Sequence, residues 1–356
     1  NTVGVVSIGN ATTTRRLQGL STGLISAEST DAINGAQLYS VISNLSGTKY
    51  FGVNSTGAAN LRGEGAKGGD AIAIGLNASA GGSGVQPRGI AIGVDANSTG
   101  NLSVALGSEA IAEEQSTALG SQARAKGLAS VAIGANLTAN GTFAIAAGVW
   151  TNATGNNTIA LGTNATAIAH NAMASGYFAN ASGLSSIAFG ENASAVGLNA
   201  ISIGNGSQAL AQNTISIGTG NIVSGKNSGA IGDPTVVSGN SSYSIGNNNN
   251  VSADNAYALG SNIKATVNDS VYLGDRAQTQ GIHTADAAKG EAYTYGGLND
   301  KAVAGKAGSA AAANKVAGVV TVGNGTDETR QVQGVAAGVV SADSTDAING
   351  SQVYYT

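Results

Sequence analysis

The sequence predicts an all-β fold, a parallel β-solenoid built of 14-residue coils, on three observations. The first is a file of glycines. From Gly134 to Gly274 they recur at ten consecutive spacings of 14 residues, and the earlier spacings from Gly75 are 18, 14, 13 and 14. A fixed period of this kind is the signature of a repeat architecture. The second is period-2 alternation before each glycine. The residues one and three positions ahead of it are large and apolar in 13 of 15 copies each, and the residue between them is Ala or Ser in 14 of 15. Such alternation makes a strand with two unlike faces. The third is the unit length, since 14 residues hold two short strands and two turns but no crossover helix, so each coil must pair with the next.

Composition narrows the class. Of 356 residues, 54 are Gly, 2 Pro and none Cys, and charged residues make up 10% and aromatics 4%. One bulky globular core is out of reach of such a chain. Collagen is excluded because Gly has no three-residue period, and simple disorder because Ile and Val are plentiful. The net charge of −4 is spread along the chain and forms no basic stripe for nucleic acid. Without Cys there is no disulfide framework, thiolate metal site or thiol nucleophile. No run of 18 apolar residues is present, and no signal peptide. The chain reads as a fragment of something longer.

Within a coil, the large file (Ile72 and Ile74, Val131 and Ile133, Ile201 and Ile203, Ile215 and Ile217) is expected to stack inside. The repeated Gly is expected at a corner that needs a positive φ. A second, weaker strand follows, with Ala165 and Ala167 or Ala193 and Ala195 alternating. The Ala/Ser file on the other face of the first strand is then expected to be a second buried surface, packed on another chain. The opposite assignment of the two faces is left open. Either way, thin coils cannot bury enough surface alone, and oligomerisation along the rod is expected. About 15 coils at roughly 4.8 Å each would give a rod near 70 Å.

The flanks repeat one another. Arg15 to Tyr39 parallels Arg330 to Tyr354 and shares the run Ser-Thr-Asp-Ala-Ile-Asn-Gly, while Val5 to Asn10 parallels Val319 to Asn324. Thr30 or Asp31 is the expected helix N-cap, and Leu38, Ile42 and Leu45 follow at coiled-coil spacing.

These motifs together resemble the trimeric autotransporter adhesins of Gram-negative bacteria. The Ser-Val-Ala-Ile-Gly coils resemble a YadA-like head, and Ser344 to Tyr354 resembles a neck. Tyr293 to Gly297 with Val319 to Arg330 resembles a head-insert segment, and Lys49 to Asn54 the entry into a head. The resemblance implies a homotrimer of left-handed parallel β-rolls with short coiled-coil and neck connectors. It also implies outer-membrane anchoring through a C-terminal barrel lying outside this sequence. On this basis residues 1–48 are an N-terminal connector, 49–280 the head, 281–330 the head-insert segment and 331–356 the C-terminal neck. The 18-residue and 13-residue coils and the N-terminal connector depart from the plain pattern, and the connector suggests a further head or stalk upstream.

Candidate chemistry is sparse. His170 and His283 read as structural or solvated, and Glu113 with Glu114, like Asp327 with Glu328, as solvated corners rather than acid/base pairs. No catalytic, cofactor or metal site is expected, and no Gly-Gly-x-Gly-x-Asp calcium repeat occurs. The sequons at Asn77, Asn97, Asn136, Asn152 and Asn164 follow from turns rich in Asn, Ser and Thr. The insertion from Gly81 to Gly89 is a tolerated loop that could protrude, with Arg88 exposed. Trp150 is expected to pack between coils, with a solvent-facing contact residue as the other reading. The expected function is attachment to host extracellular-matrix proteins of the collagen, fibronectin or laminin class, or to the host cell surface, with self-association and biofilm formation. No membrane contact by these residues is expected. The rival readings are a structural spacer whose binding is carried by another domain, and a β-solenoid enzyme, which lacks its Asp, Arg or His cluster. An ice-binding solenoid fails for want of a Thr-x-Thr file.

Overall fold

The computed structural model describes residues 4, 7–45, 65–81, 88–279, 318–324, 326–341, 344 and 346–355. The chain divides into two compact units, Asn1–Thr56 and Gly57–Thr356. The larger unit is the predicted solenoid. Its fifteen first strands, together with strand Val320–Thr321, form one parallel sheet of 16 strands, and its second strands form another of 14. Each strand pairs in register with its counterpart one coil away, so that Ala132, Ala146, Ala160, Ala174 and Ala188 stand in one file.

The interior is made of small residues, which reverses the expected assignment of faces. Ala132, Ala146 and Ala160 are fully buried within the coil, whereas Ile133 is 43% exposed, Ile245 51% and Phe189 54%. The physical reason is thickness. Strands of two or three residues joined by tight corners bring the two sheets close together, and four inward positions per coil leave room for little more than a methyl group. Around Gly162 these are Thr158, Ala160, Ala165 and Ala167, all buried. Apolar bulk therefore has only the outer face of the first sheet to occupy. The expected contact of the Ala/Ser file with another chain is overturned, because that file is already covered by its own coil.

Most inward hydroxyls find partners within their coil or the next, Ser130 and Ser186 being exceptions. Thr158 Oγ1 donates to Gly155 O at 2.7 Å, and Ser242 Oγ to Ala253 O at 2.7 Å. The core thickens toward the end of the solenoid, where Val223, Val237, Val251, Ile263 and Tyr272 replace smaller residues. Tyr272, the one large residue in the Ala/Ser file, is fully buried, and its hydroxyl accepts from the Thr266 and Val267 amides at 3.2 and 3.1 Å.

The corners explain the rest of the composition. The repeated glycine has a positive φ, 139° at Gly148, and a Cβ there would lie 2.6 Å from the carbonyl oxygen of Gly162 in the next coil. Two further residues in a typical coil adopt the left-handed region near φ 55°, such as Asn157 and Asn164. Asn tolerates this conformation, while other non-glycine residues sit there at a cost of about 1–2 kcal/mol. Stacked asparagines also bond to one another: Asn199 Nδ2 donates to Asn213 Oδ1 at 3.0 Å, and Asn213 Nδ2 to Asn227 Oδ1 at 2.9 Å.

The last coil is closed by a segment from far along the chain. Strand Val320–Thr321 pairs with Val271 and Tyr272. Arg330 then spans the junction, donating to Val322 O and Asp275 O at 2.7 Å each, and Arg276 pairs with Glu328.

Each unit carries a helix with the same local network. Helix α1 (Gly35–Leu45) begins after Asn34, whose side chain accepts from the Gln37 amide at 3.0 Å while Gln37 Oε1 accepts from the Asn34 amide at 3.2 Å. This reciprocal capping box replaces the expected cap at Thr30 or Asp31. Asp31 is engaged elsewhere, accepting from the Leu24 amide at 2.9 Å. Helix α2 (Gly350–Tyr354) repeats the box with Asn349 and Gln352. In both units the Gln side chain also bridges a distant glycine, Gly23 or Gly338, through its amide and carbonyl. Leu38 and Ile42 are exposed on α1. The segments 49–54 and 293–297, singled out from the sequence, lie outside the described residues.

Candidate binding surface

The two sheets of the solenoid present opposite chemistry to the outside. The first sheet shows the large apolar file, including Leu106, Ile133, Phe189, Ile203, Ile245 and Leu259, every one more than a third exposed. The second sheet shows mostly polar residues at its outward position, among them Arg124, Thr138, Asn152, Thr166 and Gln208. The apolar file is too long and continuous to be left in water by a single chain, since exposed apolar patches of that kind mark interfaces. The polar sheet needs no such cover.

The individual candidates fall on the corners and ends. His170 is exposed in a turn. His283 lies outside the described residues. Glu113 and Glu114 share a turn in which Glu114 Oε2 accepts from the Asn101 amide at 3.1 Å, so one carboxylate braces the neighbouring coil. Asp327 lies in a loop organised by Asn324. The Asn324 side chain holds the Asp327 carboxyl below its ordinary pKa, helped by the Thr326 hydroxyl, the residue's own amide and the Arg276 charge. Glu328 pairs with Arg276. Asp327 and Glu328 thus belong to the junction that closes the last coil. No three His, Cys, Asp or Glu side chains gather into a metal-holding group among the described residues.

Of the sequons, Asn77, Asn136 and Asn164 occupy left-handed corners, while Asn97 and Asn152 lie in second-sheet strands. Arg88, at the edge of the insertion, is exposed and faces Asp70 at 3.7 Å, an open pair of little energetic weight. Residues 82–87 of the insertion lie outside the described residues.

Trp150 differs from expectation. It does not pack between coils: it sits at a left-handed corner, φ 54°, and is 61% exposed. In the other described coils this corner is filled by residues such as Asn136, Asn164, Asn192 and Asn248, or by Gly206 and Gly220. Only Trp150 and Phe178 place an aromatic ring there.

The family profile described as the YadA head domain repeat matches residues 87–110, 113–136, 139–165, 167–193, 181–207, 195–221 and 238–262. A second profile, the coiled stalk of trimeric autotransporter adhesin, matches residues 20–61 and 331–356. The chain belongs to the trimeric autotransporter adhesins. Among curated individual proteins none matches. Membership accounts for the alternation of solenoid and connector along this adhesin. It also supplies a partner for the uncovered apolar file, because members of the family are homotrimers. Such adhesins are displayed on the outer membrane and are in general not enzymes. No described helix of this chain is long and apolar enough to cross a membrane.

Proposed function

We propose that this part of the adhesin is a trimeric head that attaches the bacterium to host extracellular-matrix proteins of the collagen, fibronectin or laminin class, or to the host cell surface. The same surface serves self-association and biofilm formation. The observation that carries this reading is the division of chemistry between the sheets. Three copies bury their apolar files against one another, and the polar second sheets remain outside as a repetitive surface. Weak contacts repeated along that surface and over three chains gain avidity when they engage together. Anchoring is through an outer-membrane barrel beyond these residues. The connectors, with their shared capping network, join this head to its neighbours in the fibre.

The test is solid-phase binding of the purified trimer to immobilised collagen, fibronectin and laminin, alongside a cell-attachment assay. Saturable binding that survives removal of the connectors supports an adhesive head. Absence of binding to every matrix protein and to cells, by a trimer of intact fold, would leave the head as a spacer.

A further inference from the structure

We propose that a cleft on the outer face of the second sheet, between Arg124 and Trp150, binds an acidic saccharide, with a sugar ring against the indole and its carboxylate on the guanidinium. The cleft is open to solvent, has a volume of about 250 Å³ and is lined by Gln122, Arg124, Asn136, Leu137, Thr138 and Trp150. It spans three successive coils, so no single repeat contains it.

Its lining has the chemistry that sugars need. A pyranose presents an apolar face of C–H groups and a rim of hydroxyls. Trp150, mostly exposed, borders the cleft and offers an aromatic surface at its rim for the first. Gln122, Asn136 and Thr138 offer donors and acceptors for the second. Gln122 is held in place, because its Nε2 donates to Glu109 Oε2 at 3.0 Å. That bond leaves its carbonyl oxygen available. Leu137, fully buried, forms the floor.

The charge points to an acid. The Arg124 side chain is half-buried in the wall, and among the described residues no carboxylate lies in ion-pair range of it. A guanidinium in this state matches a carboxylate in two parallel hydrogen bonds. Lys126, two residues along, is also exposed. The Glu109 carboxylate, one coil away, is engaged by Gln122 and sits on the far side of that residue from Arg124 in chain order.

The indole itself is the second pointer. The sequence sets the one Trp of the chain at a corner where Asn or Gly is the unstrained choice. Nothing in the packing of the coil asks for it, since the ring is mostly exposed. A strained residue that the fold does not require is an indication of use. The cleft also opens on the polar sheet, away from the apolar file that three copies cover.

Binding here rests on the head being an adhesive surface, but it can fail while matrix adhesion stands. Because Trp150 is the only Trp, its fluorescence reports on this cleft alone. The trimer is titrated with a galacturonic-acid trisaccharide, with N-acetylneuraminic acid and with neutral maltotriose. The expected result is a saturable change in emission with an acidic sugar, and a response about ten- to hundredfold weaker for maltotriose and in the Arg124→Gln variant. Equilibrium dialysis of labelled trisaccharide against Trp150→Asn, a change suited to the corner, should show binding lost while the melting temperature stays at or above that of the parent. No saturable response to either acid would overturn the proposal. So would equal affinity in Arg124→Gln, in folded Trp150→Asn, or for the neutral sugar. A wild-type trimer that binds sugar but no matrix protein would sink the matrix reading and leave this site standing.

Discussion

At the scale of single residues, the fold is governed by what fits at a corner and what fits between two close sheets. Gly148→Ala should destabilise the head by about 1–3 kcal/mol from its backbone region alone, with a further loss from the contact with the Gly162 carbonyl; urea unfolding followed by circular dichroism measures it. Ala160→Leu, which forces bulk into the buried file, should cost about 1–3 kcal/mol in the same experiment. Trp150→Asn should go the other way, gaining about 1–2 kcal/mol as a side chain is moved off a left-handed backbone that it tolerates poorly. The glycine corners were legible in the sequence because the spacing of Gly134 to Gly274 leaves no other role for them. Trp150 was not. A large apolar residue is ordinarily a packing residue, and only its exposure in the folded chain shows that the ring is turned outward.

At the scale of strands and helices, the alternation of Val131, Ala132 and Ile133 announced two faces without saying which was inside. Size is a poor guide where two short-stranded sheets lie this close, and the lesson of Ala132 is that a file of methyl groups can make up most of a core, with a larger residue such as Leu137 admitted only here and there. The consequence can be tested on the outer file. Ile203→Glu should leave the coil intact by circular dichroism yet weaken the trimer, seen as monomer in sedimentation velocity, whereas an unchanged trimer would put the interface elsewhere. Helix starts were partly legible. The run Ser-Thr-Asp drew attention to Thr30 and Asp31, but the stronger signal was the Asn-x-x-Gln pair at Asn34 and Gln37, repeated at Asn349 and Gln352. At the end of the solenoid, Arg330→Ala removes two bonds to carbonyls of the closing junction. Hydrogen exchange in strand Val271–Leu273 should then quicken while strands near Ala146 keep their protection.

At the scale of the whole molecule, the period, the two sheets and the connectors could all be read before any coordinates, because a repeat specifies its own neighbours. The cleft at Arg124 could not, since its walls come from three coils and no single repeat carries its pattern. The junction loop also responds to the medium. The Asp327 carboxyl titrates below its ordinary value because Asn324 and its neighbours hold the ionised form. Its contribution is therefore present above the ordinary aspartate pKa and fades as pH falls through the lowered one. Protection of strand Val320–Thr321 from hydrogen exchange should weaken in strong acid and be flat from pH 5 upward, if Asp327 is what ties the loop.

Hydrogen bonds between coils, such as Ile145 N to Thr158 O at 2.9 Å and Asn152 N to Ala165 O at 2.9 Å, run along the axis on which a tethered bacterium would pull. Traction therefore loads a whole rung at once, while the covalent chain winds beneath it like wire on a spool. Each rung that gives way releases about 45 Å of slack and leaves the next one whole. Under flow, such a tether would lengthen in even steps before it let go, and a sawtooth of that spacing in single-molecule pulling is the signature to seek.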